Sequence, residues 1–187
     1  MGNLPRHALA VLLVCTAVAA AAQERAVNPD AQVLADFKKR VDAYMDVHKR
    51  ARTEAPRLKP TDNPEDIRAA REALADGIRA ARAGAKQGDI FTPDAATIVR
   101  RLLTPETTGP DGAQTKKAIE EEAPAAVPLK VNASYPEGKP LPTVPPNVLA
   151  ALPQLPEELE YRLVHKALIL RDVPANLIVD FVPNAIR

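Results

Sequence analysis

The side chains with the clearest capacity for chemistry are two aspartates near the end of the sequence. Asp172 and Asp180 flank the last apolar run of the chain, where acidic residues are uncommon. Either acid, together with His165, could supply the catalytic groups of a small hydrolase, provided that these groups converge on one concave pocket. The alternative is that Asp172 accepts backbone N–H groups where the chain turns at Val173-Pro174.

Other residues that commonly act as nucleophiles or metal ligands are few. After residue 22 the chain has one serine, Ser134, and its surroundings lack the Gly-x-Ser-x-Gly pattern of many serine hydrolases. His48 follows Asp42 and Asp46, but the second His or Glu-x-x-His of helical metal sites is missing. We therefore expect no metal and no cofactor, and we interpret His48 as a core or interface residue.

A basic cluster near the end of the first predicted helix is the main charged feature. It consists of Lys49, Arg50, Arg52, Arg57 and Lys59. Glu54 is the only acid among them. The cluster could bind anionic lipid or an acidic cell-wall polymer, or it could be a solvated helix end whose cations interact with the helix dipole.

Composition argues against nucleic acid as a partner. The 187 residues include 25 Lys and Arg against 24 Asp and Glu, so the chain lacks the positive field with which nucleic-acid binders attract phosphates. It has no Trp, three Tyr and three Phe, which leaves little aromatic surface for stacking on bases.

The first 22 residues have the pattern of an export signal. Arg6 is followed by an uncharged run from Ala8 to Ala22 that is too short to span a bilayer and ends in an Ala-x-Ala cleavage pattern. An uncleaved anchor is the alternative. Cleavage after Ala22 would remove Cys15, the only cysteine, and would leave equal numbers of acidic and basic residues. We expect a periplasmic or secreted protein with no transmembrane span after cleavage.

Three helix starts organise the first half of the chain. Each combines a capping side chain, a proline and an acid at the positive end of the helix dipole. They are Asn28-Pro29-Asp30, Asn63-Pro64-Glu65 and Thr92-Pro93-Asp94. The predicted helices run from Pro29 to about Glu54, from Pro64 to about Ala85 and from Pro93 to about Leu103. The first two should form an antiparallel hairpin that the third covers.

The second half of the chain has a different character. Nine prolines between Pro124 and Pro156 predict an extended arm that either packs on the helices or is a free linker. Alternating apolar residues predict a β-hairpin of residues 159–164 and 167–171, followed by a third run at 177–182. The expected fold is mainly α within an α+β class. Its segments are a signal peptide (1–22), a helical domain (23–123), the arm (124–156) and a small β unit (157–187).

A β unit of this size is marginally stable alone, so it must pack on the helices or on another molecule. We expect a small chain of this kind to leave some apolar surface uncovered. We therefore expect a non-enzymatic interaction protein that associates with itself or with another envelope protein. The candidate interface residues belong to the hairpin stripe, the basic cluster and the terminal segment. They are Phe37, Tyr44, His48, Arg50, Arg52, Tyr161, Leu168, Asp172, Leu177, Asp180 and Phe181.

Two blocks of the sequence resemble a family of uncharacterised exported proteins from environmental bacteria. The terminal block reads LPEELEYR at 155–162 and continues through LILRD at 168–172 to ANLIVDFVPNA at 175–185. The second block reads GAKQGDIF at 84–91. The resemblance implies a bacterial envelope setting, and it implies no particular activity.

Overall fold

Five α-helices precede three β-strands in the part of the chain that this computed structural model describes, residues 28–57, 59–122 and 127–186. The helices are α1 (Pro29–Glu54), α2 (Pro64–Ala81), α3 (Pro93–Thr108), α4 (Gly112–Glu122) and α5 (Pro146–Ala151). The strands are β1 (Leu159–Val164), β2 (Ala167–Asp172) and β3 (Leu177–Val182). The predicted export signal at 1–22 lies outside the described residues. The fold is α+β and mainly helical, as expected.

The three predicted helix starts are confirmed by their capping bonds. Asn28 Oδ1 accepts from the Asp30 N–H at 3.0 Å, and Asn63 Oδ1 accepts from the Glu65 N–H at 3.1 Å. Thr92 Oγ1 accepts from the Ala95 N–H at 3.2 Å. Each bond satisfies one of the backbone donors that a helix leaves free at its first turn.

Two helix ends differ from the prediction. Helix α2 ends at Ala81, four residues early, and the Arg82 carbonyl accepts a bond from Asn132 Nδ2 at 2.8 Å. That side chain provides the carbonyl with a partner outside the helix. Helix α3 continues through Pro105 to Thr108. The hydroxyl of Thr107 donates to the Leu103 carbonyl at 3.0 Å, so this last turn has additional side-chain bonds.

The helical hairpin and the sheet share one hydrophobic core. Helices α1 and α2 pack together, and α3 packs against α1. The strands form an antiparallel sheet in the order β1-β2-β3, with an irregularity in the β2–β3 register between Leu170 and Arg171. The ring of Phe37 on α1 stacks on Phe91 at 5.3 Å, and Phe91 lies 6.5 Å from the ring of Tyr161 on β1. Residues on both sides of the predicted boundaries at 123/124 and 156/157 contribute to this core. Ile119, Val148 and Leu159 are examples.

The described part of the proline-rich arm packs on the sheet, which is the first of the two alternatives. The Asn132 N–H donates to the Ile178 carbonyl at 2.8 Å, and the Ile178 N–H donates to the Ala133 carbonyl at 2.9 Å. The Tyr135 N–H donates to the Asn176 carbonyl at 3.0 Å. These bonds cover the start of the outer edge of β3, which would otherwise be open to pairing with another chain.

Most of the predicted interface is buried inside the chain, so the expectation of an uncovered apolar stripe is corrected. At most 4% of each of six candidates is exposed: Phe37, Tyr44, His48, Tyr161, Leu168 and Leu177. The physical reason is that the sheet covers the apolar face of the helical hairpin, so the two apolar surfaces remove each other from water. Phe181 is half-buried and packs against a second, smaller cluster of apolar residues.

Candidate functional site

A buried polar network joins α1 to the turn between β2 and β3. Asp172 is fully buried, and its Oδ2 accepts from the Tyr44 hydroxyl at 2.7 Å and lies 2.6 Å from His48 Nδ1. Its Oδ1 accepts from the Ala175 N–H at 2.8 Å. The interpretation of Asp172 as a turn-capping residue is therefore confirmed. The two partners on α1 escaped the sequence analysis, because nothing in the local pattern links α1 to the end of β2.

His48 has the geometry of the histidine in an acid–histidine pair. With Nδ1–H donating to the carboxylate, Nε2 carries the free lone pair, and it is buried with no hydrogen-bond partner among the described residues. A hydrolase would place a nucleophile at Nε2. Ser134 is not there, since its exposed hydroxyl accepts from Arg79 Nη2 at 2.6 Å. The network joins Tyr44 and His48 of α1 to Asp172 at the end of β2 through one buried carboxylate.

Burial controls the ionisation of the groups around this network. Burial, reinforced by the negative charge of Asp172, raises the pKa of the Tyr44 hydroxyl. Burial also lowers the pKa of Arg82, whose guanidinium lies 5.0 Å from the centre of the Tyr44 ring. Arg82 donates to Asn132 Oδ1 at 2.9 Å and to the Val179 carbonyl at 3.2 Å. It connects α2 to the arm and to β3, a role that the sequence analysis missed.

Asp180 anchors the loop between α2 and α3. Its Oδ2 accepts from the Ile90 and Phe91 N–H groups, both at 2.8 Å. Its Oδ1 accepts from the N–H groups of Gly88 and Phe181 at 2.9 and 2.8 Å. Four backbone donors occupy a fully buried carboxylate, which identifies Asp180 as a structural anchor.

The three residues of the hydrolase hypothesis do not come together. His165 is exposed in the turn between β1 and β2, where its φ is 53°, whereas Asp172 is the last residue of β2 at the opposite end of that strand. Asp180 is enclosed by the loop that it anchors. The convergence that this hypothesis requires is absent among these side chains.

A second ionic group lies on the sheet. Glu160 accepts from Arg162 Nη2 and from Arg171 Nη1, both at 2.5 Å. Burial opposes ionisation of Glu160, but the two arginines outweigh it and lower the pKa of the carboxyl. Arg171 also donates to Asn176 Oδ1 at 2.7 Å and lies 6.0 Å from the centre of the Tyr135 ring. This group joins β1 and β2 to the arm.

The corner cleft is a concavity of about 550 Å³ between the end of α1, helix α2 and the turn after β2. Three arginines line it: Arg52, Arg57 and Arg71. Its other lining residues are apolar: Ala55, Pro56, Ile67, Ala70, Leu74, Val173 and Pro174. Ile67 and Val173 are each 41% exposed, and they are two of only four large apolar side chains with such exposure in the described chain. An apolar floor thus meets a cationic rim.

The basic cluster is exposed, and it supplies much of that rim. Arg52 and Arg57 have no acidic partner among the described residues, whereas Arg71 lies 3.6 Å from Glu137. Arg50 is also exposed and lies on α1 outside the cleft lining. Unpaired guanidinium groups beside exposed aliphatic side chains are suited to binding an anion that has an apolar part.

The polar network supports the corner cleft directly. Val173 and Pro174 follow Asp172 in the chain, and Arg52 lies one helical turn after His48. The bonds from Asp172 to His48, Tyr44 and Ala175 therefore fix the turn that forms one wall of the cleft against the helix that forms another.

In the described ranges, no three His, Cys, Asp or Glu side chains are grouped as a metal site would require. No helix in those ranges has the length and apolar character needed to cross a bilayer. Comparison with models of protein families, with curated proteins and with solved structures finds no match to this chain.

Proposed function

We propose that this chain is an exported, non-enzymatic binding protein that docks on anionic lipid surfaces through its basic cluster. The observation that carries the proposal is the pairing of Arg52 and Arg57, which lack acidic partners in the described chain, with the exposed side chains of Ile67 and Val173. Anionic head groups lie directly above acyl chains in a membrane, and this surface offers complementary chemistry to both.

The distribution of charge and apolar surface favours this function over the other candidates. Each cation close to an anionic membrane contributes about 1 kcal/mol of attraction, so a cluster of five is enough for reversible docking. The apolar residues first expected to bind a partner protein are instead used in the core. Export itself rests on the pattern of the first 22 residues and on the resemblance of the two sequence blocks.

Vesicle flotation tests the docking proposal with the chain that begins at Gln23, so that the apolar run from Ala8 to Ala22 cannot itself insert into the vesicles. At about 0.1 M salt we expect the protein to float with vesicles of phosphatidylglycerol and phosphatidylcholine, and to be released at about 1 M salt. The double variant Arg52→Glu/Arg57→Glu should lose this binding. Lys39→Glu/Lys139→Glu, which makes the same change in net charge at exposed sites elsewhere, should keep it. Equal loss in both variants, or equal binding to pure phosphatidylcholine, would contradict the proposal.

Cell fractionation tests export separately. We expect the protein outside the cytoplasm with Gln23 as its first residue, measured by mass spectrometry of the intact chain. Unprocessed chain confined to the cytoplasm would show that the leader is not an export signal.

A further inference from the structure

We propose that the corner cleft is a specific site for a single-chain anionic amphiphile, with the alkyl chain on its apolar floor and the head group at its arginine rim. This inference rests on the proposed function, because it assigns a ligand to the same surface. It differs in one respect, since the ligand is a free monomer and not a lipid held in a bilayer.

The size and lining of the cleft support this ligand class. About 550 Å³ lies within the range of roughly 300 to 1,000 Å³ that small-ligand pockets occupy. Leu74 is buried beneath the cleft, and Ile67 and Val173 are exposed at it. Covering this aliphatic surface lowers the free energy, and a flexible alkyl chain can follow the concave floor of the cleft.

The arginines at the rim determine the sign of the charge that the head group must carry. Arg52, Arg57 and Arg71 line the same opening, and only Arg71 has an acidic neighbour, Glu137 at 3.6 Å. Guanidinium groups bind carboxylate and phosphate through paired hydrogen bonds, so both head groups fit and a cationic one does not. The shared chemistry is a monoanionic or dianionic head on one aliphatic chain.

The site is built before the ligand arrives. Asp172 accepts from Tyr44, and from the Ala175 N–H one turn further on, and it lies 2.6 Å from His48 Nδ1. These bonds hold Val173 and Pro174 in place, and proline further restricts the backbone there. A wall fixed in this way reduces the ordering cost of binding.

Isothermal titration of the chain that begins at Gln23 with decanoate and with decyl phosphate, both below their micelle concentrations, tests the inference. We expect saturable binding of both at one site per chain. Acetate and inorganic phosphate, which lack the chain, and decanol, which lacks the charge, should each bind at least about tenfold more weakly. Binding of decanol as tight as that of decanoate would overturn the role of the rim, and with it the inference.

A matched pair of serine variants tests the floor. Ile67→Ser/Val173→Ser should weaken decanoate binding by about tenfold or more, because both side chains are exposed at the cleft. Leu149→Ser, at a side chain that is 49% exposed and lies outside this cleft, should leave it unchanged. Circular dichroism confirms that the variants are folded. Unchanged affinity in Ile67→Ser/Val173→Ser would overturn the inference.

The two proposals fail in different ways. If anionic vesicles bind and decanoate does not, the membrane-docking function stands and the amphiphile site is wrong. If decanoate binds and vesicles do not, the amphiphile site stands and the membrane-docking function is wrong.

Discussion

His48 Nδ1 lies 2.6 Å from Asp172 Oδ2, and this contact joins residues that are 124 positions apart in the sequence. The same carboxylate accepts from Tyr44 on α1 and from the Ala175 N–H in the turn after β2. A buried acid with three donors around it fixes the first helix against the last hairpin, so these groups stabilise the fold and shape the corner cleft together.

Removal of this carboxylate should be strongly destabilising. We expect Asp172→Ala to lower the free energy of unfolding by about 3 to 5 kcal/mol, because three donors in a dry site lose their acceptor. Tyr44→Phe removes one donor and should cost about 1 kcal/mol. Urea denaturation measures both, and Asp46→Ala, at an exposed position within α1, is the control. A midpoint for Asp172→Ala equal to that of the control would show that the network contributes nothing.

Asp180→Asn isolates the anchoring of the loop between α2 and α3. The amide keeps the shape of the side chain but replaces one acceptor oxygen with a donor that faces backbone N–H groups, so we expect a loss of about 2 to 3 kcal/mol. Hydrogen exchange at the amides of Ile90 and Phe91 should become faster. Asp89→Asn is the comparison, since Asp89 is exposed and accepts from the Lys86 N–H in the same loop. Equal effects in the two variants would contradict the anchor.

Local patterns predicted the helix starts and the strands, because capping residues, prolines and alternating apolar residues act within a few positions. The bounds of α1 and β1 match the prediction. The partners of Asp172 and Arg82 could not be predicted, because each partner lies on an element distant in the sequence. A single sequence does not indicate which distant residues come into contact.

The proline-rich segment shows where the sequence argument was incomplete. Dense proline predicted extended chain, yet Pro146 begins the short helix α5. Proline is compatible with the first helical position, because its missing N–H has no partner there in any helix. Val148 is completely buried, so tertiary packing decided the conformation of this segment.

The close approach of α1 and α2 predicts a coupled pair of substitutions. A Cβ at Gly77 would lie 3.1 Å from the Cβ of Ala51, so Gly77→Ala should destabilise the protein by about 1 kcal/mol despite its better helix propensity. In an Ala51→Gly background the contact is gone, and the same change should stabilise by about 1 kcal/mol. Thermal unfolding of the four chains completes the cycle. If Gly77→Ala changed the stability equally in both backgrounds, α1 and α2 would be able to move apart at that point without a loss of stability.

The ionic group at Glu160 predicts a loss of stability in acid. Arg162 and Arg171 lower the pKa of Glu160 below its ordinary 4.5 in the folded chain, although burial opposes them. Its stabilising contribution is therefore complete above that value and is lost as the pH falls through the folded-state pKa. Glu160→Gln should be less stable than the wild type by about 1 to 3 kcal/mol at neutral pH.

The pH dependence distinguishes this charge effect from a simple packing effect. Urea midpoints measured from neutral pH into acid should show the difference between wild type and Glu160→Gln shrinking below pH 4.5. Glu157→Gln, at an exposed position with no ion pair in the described chain, should follow the wild type throughout. If the difference in urea midpoint stayed constant with pH, the charge of Glu160 would not be its cause. The protonated side chain would then stabilise the fold as well as the carboxylate does, through its hydrogen bonds and shape.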